Sequence, residues 1–67
     1  MSLKVDLEFL VGSRREHQTN FSTRLFELIL KADGINLELI RKGFPNAVKT
    51  VEIWRATGEI IDLPYDS

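Results

Sequence analysis

A chain of 67 residues can build only one hydrophobic core, so residues 1–67 are expected to form a single small domain. Apolar residues make up 43% and charged residues 28% of it, which excludes a disordered composition, and the net charge of −1 argues against a general polyanion binder. With no cysteine and one His, disulfide scaffolds, thiol catalysis, iron–sulfur clusters and Cys- or His-rich metal sites are excluded, and neither cofactor nor metal is expected.

The alternation in Val5-Asp6-Leu7-Glu8-Phe9, continued to Val11, predicts a strand. Val5, Leu7, Phe9 and Val11 then share one face, and Lys4, Asp6, Glu8 and Leu10 the other. Gly12 ends it, and a polar stretch runs to Asn20. Ser13 and Glu16 have capping-box spacing within that stretch, so a helix starts either there or near Asn20 or Ser22. From Phe21 to Ala32 the spacing predicts a helix, with Phe21, Leu25, Leu28, Ile29 and Ala32 on one face and Phe26 and Leu30 widening it. Glu27 and Lys31 form an i,i+4 pair. Gly34 is the expected left-handed residue beyond the last turn, with Ile35 as its apolar contact.

Residues 35–44 admit two readings. One is a short helix, Leu37 to Lys42, capped by Asn36 and ended by Gly43. The other is a strand with Ile35, Leu37 and Leu39 on one side. Propensity favours the helix slightly. In the strand reading the chain loosely resembles a thioredoxin-type core, which implies no redox role without cysteines.

The C-terminal third is expected to be a β-hairpin with Ala56-Thr57-Gly58 as its loop. In that register Arg55 faces Glu59, Ile53 faces Ile61 and Val51 faces Leu63, while Trp54 and Ile60 share the opposite surface. The competing helix over residues 45–57 has Pro45 at its first position and Gly58 at its end, and gathers Ala47, Val48, Val51 and Trp54. The density of β-forming residues, Val48, Thr50, Val51, Ile53 and Trp54, favours the hairpin. The expected fold is therefore α+β: an N-terminal strand, one long helix, an ambiguous short element and a C-terminal hairpin. The alternative, with residues 36–57 as two helices, resembles a winged helix-turn-helix.

Residues that carry chemistry are sparse. His17 is a lone imidazole in the polar stretch, no Gly-x-Ser-x-Gly elbow surrounds Ser13 or Ser22, and the glycines are too dispersed to cradle a phosphate. No enzymatic activity is expected. A single core of this size supplies only about 3–5 kcal/mol, so the chain is expected to be a binding or regulatory module that associates with a protein partner or with itself as a homo-oligomer. Trp54 and Ile60, joined by Leu10 of the first strand, are the expected contact residues. In the helix-turn-helix alternative, Arg41, Lys42, Asn46, Lys49 and Arg55 are the candidate nucleic-acid contacts, against which stand the net charge and a sequence pI near 5.7. Neither a signal-peptide pattern nor a run of ~20 apolar residues is present, which gives the expectation of a cytoplasmic protein without a membrane partner.

Overall fold

Leu3, Leu7 and Leu10 fall at the spacing of one helix face, and this pattern, not the alternation around it, decides the N-terminal element. The structure, a computed structural model, describes residues 3–12 and 21–66. Its first element is a helix, α1 (Leu3–Val11), which buries Leu3, Asp6, Leu7 and Leu10. The expected strand is thus corrected. Its two faces are replaced by one buried stripe that takes Leu7 from one predicted face and Asp6 and Leu10 from the other.

The second helix, α2 (Phe21–Lys31), buries Thr23, Leu25, Phe26 and Ile29. Leu28 and Phe21, expected on that same face, point outward instead. Glu27 pairs with Arg24 at 3.4 Å, not with Lys31 as the i,i+4 spacing suggested. Gly34 does not close α2 in the left-handed region. It opens α3 (Gly34–Gly43), whose N-cap is Asp33: the carboxylate accepts the Asn36 N–H at 2.8 Å. The capping-box expectation at Ser13 and Glu16, and His17, lie outside the described residues.

Residues 45–57 form α4 (Pro45–Thr57), so the hairpin is corrected to the helix that competed with it. Pro45 starts it, and Gly58 ends it at φ 80°, donating its N–H to the Trp54 carbonyl at 2.8 Å. These end signals outweigh the β-forming side chains because β-propensity depends on a neighbouring strand to pack against. Among the described residues there is no strand, and the α+β class, its hairpin register and the wing of the alternative fold are all set aside.

Three helices share the core. Leu3, Leu25 and Ala47 meet at one end of the molecule and Leu10, Leu30 and Trp54 at the other, so α1, α2 and α4 run in the same direction. Phe26, Leu7, Ile29, Val48 and Val51 fill the space between them. The third helix returns against them and packs chiefly on α4. It has no fully buried residue, and Leu37, Ile40 and the following Phe44 only partly bury against the core.

Beyond Gly58 the chain is an extended tail that packs Ile60 and Leu63 against the core. Its end fastens two helices. The Asp66 carboxylate accepts the N–H groups of Asn46 at 2.8 Å and Ala47 at 3.0 Å, while the Pro64 carbonyl accepts the Asn46 side-chain amide at 3.1 Å. The Tyr65 hydroxyl donates to the fully buried Asp6 carboxylate at 2.9 Å. Phe44, at the N-cap of α4, offers no side-chain acceptor, so Asp66 does this work from the far end of the chain.

Candidate protein-binding surface

The surface expected from the hairpin register does not exist as such. Leu10 is buried, Trp54 and Ile60 are half-buried, and all three pack in or against the core. Leu10 and Trp54 do come together, lining a cleft of ≈ 390 Å³ with Val11, Gly12 and Leu30, but Ile60 does not join them.

The basic residues proposed for nucleic acid are mostly engaged within the chain. The Arg41 guanidinium bridges α3 to α4, gripping Glu52 through both oxygens at 2.8 and 2.7 Å and Glu38 at 3.1 Å. These hydrogen bonds push the Arg41 pKa further above its ordinary value, and hydrogen bonding to Arg41 holds the Glu52 carboxyl below its own. Asn46 is held by the tail, and Arg55 donates to the Leu30 carbonyl at 2.9 Å. Only Lys42 and Lys49 of the five stand exposed without a described partner.

Among the described residues, the buried Asp6 carboxylate, the hydroxyl of the partly exposed Tyr65 and the half-buried Ser22 form the polar cluster that most resembles a reactive group. Burial, chiefly, and the bond to Asp6 push the Tyr65 phenol above its ordinary pKa, while Ser22 lowers it by a hydrogen bond to the same oxygen. A tyrosine acting as a base needs the opposite shift. The cluster fastens the tail.

Among the described residues, most of the exposed large apolar side chains lie on α2 and α3. Only Ala32 and Asp33 separate these helices and the side chains at their far ends meet, so they run in opposite directions, although they do not pack closely against each other. At one end the Phe21 and Phe44 rings meet with centroids 5.6 Å apart. Toward the other end Leu28, Ala32, Leu39 and Ile40 line a groove of ≈ 350 Å³, bordered by Lys31 and Asn36. Within it Leu28 is 60% exposed and Leu39 58%; outside it, Phe21 is 66% exposed and Ile35, one turn before Leu39, 78%. Apolar residues on so many sides of α2, and on the outer side of a helix with no buried residue, exceed what this core consumes.

Phe21, Leu28, Ile35 and Leu39 were not singled out by sequence reasoning, although the signal was there. The helix α2 holds six large apolar side chains, Phe21, Leu25, Phe26, Leu28, Ile29 and Leu30, in one run of ten residues. One helix face cannot accommodate them all, so a second apolar face was implied.

No protein-family model, curated protein or solved structure matches the chain. Among the described residues no group of three His, Asp or Glu side chains is placed to hold a metal ion, and no helix is long and apolar enough to cross a membrane.

Proposed function

We propose that the protein is a small non-catalytic binding module that acts by associating with a protein partner, and that the α2/α3 groove is its contact surface. The observation that carries this reading is the exposure of Leu28, Ile35 and Leu39 on two adjacent helices, with no residue of the described tail laid over them. An apolar channel between two antiparallel helices has the shape that receives a third helix, whose apolar side chains enter at i and i+3 or i+4. The Trp54 cleft supports the reading less, because Trp54 and Leu10 already pack on the core.

DNA binding has one point in its favour, the pairing of α3 with α4. Against it, Phe44 is the only residue between these helices, where a helix-turn-helix uses a turn of 3–4 residues. Three of the five candidate contacts are also committed to Glu52, the tail and the Leu30 carbonyl.

A displayed library of helical peptides, selected on the immobilised protein, tests the proposal. Binders are expected whose affinity falls about tenfold or more with Leu39→Glu, an exposed substitution that leaves the core intact, and is kept with Trp54→Ala. Binders indifferent to Leu39→Glu, or no enrichment at all, overturn it.

A further inference from the structure

Four consecutive residues of the tail are each met by a different group. Leu63 packs against the core, and the Pro64 carbonyl accepts the Asn46 side-chain amide. The Tyr65 hydroxyl donates to Asp6 and is bonded by Ser22, while the Asp66 carboxylate takes the Asn46 and Ala47 N–H groups. The seat formed by α1, α2 and the start of α4 thus reads an apolar side chain, a carbonyl, a phenol and an acid, in that order. Asp6 and Ala47 are fully buried, so the core fixes the seat. Its occupant lies on the surface: no residue from Gly58 to Asp66 is buried, and Tyr65 is 41% exposed. Among the described residues, Ile60 to Leu63 make no hydrogen bond. The tail also leaves room beside it, a cavity of ≈ 230 Å³ between Tyr65, Asp66 and the side chains of Leu3, Phe21, Leu25 and Phe44. This seat shares no lining residue with the α2/α3 groove.

We infer that the seat is a recognition site for an extended segment of another protein with the order of Leu63-Pro64-Tyr65-Asp66, and that the tail is its built-in occupant, displaced when the partner binds. The tail runs from Gly58, at the end of α4, back to Asn46 at its start, and a short tether of this kind holds its end at the seat at an effective concentration on the order of 1 mM. A segment in trans competes against that concentration. The partner's advantage is the cavity of ≈ 230 Å³, where a bulkier apolar side chain gains contacts that the described tail does not make. A second copy of this chain is the poorer occupant. Exchange of tails between copies replaces each contact by an identical one and adds the entropic cost of association.

The probe is a labelled peptide with the sequence of residues 59–67, added to the full chain carrying Tyr65→Phe and Asp66→Ala, which weakens its own tail. Fluorescence anisotropy is expected to show binding at least about tenfold tighter than to the unaltered chain, whose tail competes. The same two substitutions placed in the peptide are expected to cost about tenfold or more in affinity. Hydrogen exchange at the Asn46 and Ala47 amides, accelerated in the variant chain, should slow again when the peptide is bound. A second measurement uses the unaltered chain, isotopically labelled, with unlabelled peptide at several millimolar. The resonances of residues 60–66 are expected to move to unfolded-chain positions while the Asn46 and Ala47 amides stay protected, a result that does not depend on the variant folding. Tail resonances unmoved at that concentration, or binding indifferent to the tyrosine and the acid of the peptide, overturn the inference. A dimer of the unaltered chain at micromolar concentration in sedimentation equilibrium, abolished by Tyr65→Phe with Asp66→Ala, makes a second copy the occupant and overturns it as well.

Discussion

At the scale of single residues, the contact that most needs explaining is a carboxylate placed 20 positions downstream of the amide it binds. Helix α4 begins Phe44-Pro45-Asn46-Ala47, and the N–H groups of Asn46 and Ala47 have no carbonyl four residues back inside the helix. Asp66 supplies both acceptors and sets a negative charge at the positive end of the helix dipole. Removing a capping carboxylate costs about 1 kcal/mol, so Asp66→Ala is expected to lower the urea midpoint by an amount of that order with an unchanged slope. Hydrogen exchange at the Asn46 and Ala47 amides should accelerate by more than the global loss of stability accounts for. Asp66→Asn keeps one acceptor oxygen and should fall between the two. Equal stability of all three proteins would deny the tail its role as a cap.

At the scale of elements, the helix ends decide what the middles leave ambiguous. The segment Val48 to Trp54 reads plausibly as a strand, and Val5 to Val11 alternates as a strand should, yet both are helices. What was legible over residues 45–57 was Pro45 at the start and Gly58 after the end; what misled was the count of β-branched residues, which says little without a partner strand. In α1 two periodicities coexist over nine residues, and only the packing of Leu3, Leu7 and Leu10 on α2 and α4 separates them. The candidate groove was half legible: the surplus of apolar residues on α2 was in the sequence, but which of them faced outward depended on where α4 packed. Gly58 makes the stop signal testable. At φ 80° an alanine suffers the Cβ clash of the left-handed region even though no other atom lies within 4 Å of that position. Gly58→Ala is therefore expected to destabilise the protein by about 1–2 kcal/mol, read as a lowered urea midpoint. A neutral result would mean that the last turn of α4 rearranges at no cost.

At the scale of the whole molecule, the tail and the Arg41 bridge tie the four helices together, and the two ties fail at opposite ends of the pH range. The phenol of Tyr65 is pushed above its ordinary pKa by burial and by its bond to Asp6, so folding favours the neutral form. Its contribution is fully present below the unfolded value near 10 and is lost as pH rises through the higher folded value, where a phenolate would face the buried Asp6 carboxylate. Glu52 is shifted the other way by Arg41, so its contribution is present above its ordinary value and is lost as pH falls through the lower folded one. The Arg41–Glu52 bridge is partly exposed to solvent, which keeps the acid effect small and sensitive to salt. The chain has one tyrosine, so phenolate absorbance reports Tyr65 alone. In the folded protein that titration is expected at higher pH than in urea, with the urea midpoint falling over the same interval. Tyr65→Phe should lower the neutral plateau and remove that alkaline decline, whereas Glu52→Gln should leave it in place and flatten the acid limb. A Tyr65 titration that matches the unfolded chain would show that the tail does not hold its phenol against Asp6, and the link it makes from α1 to the start of α4 would go with it.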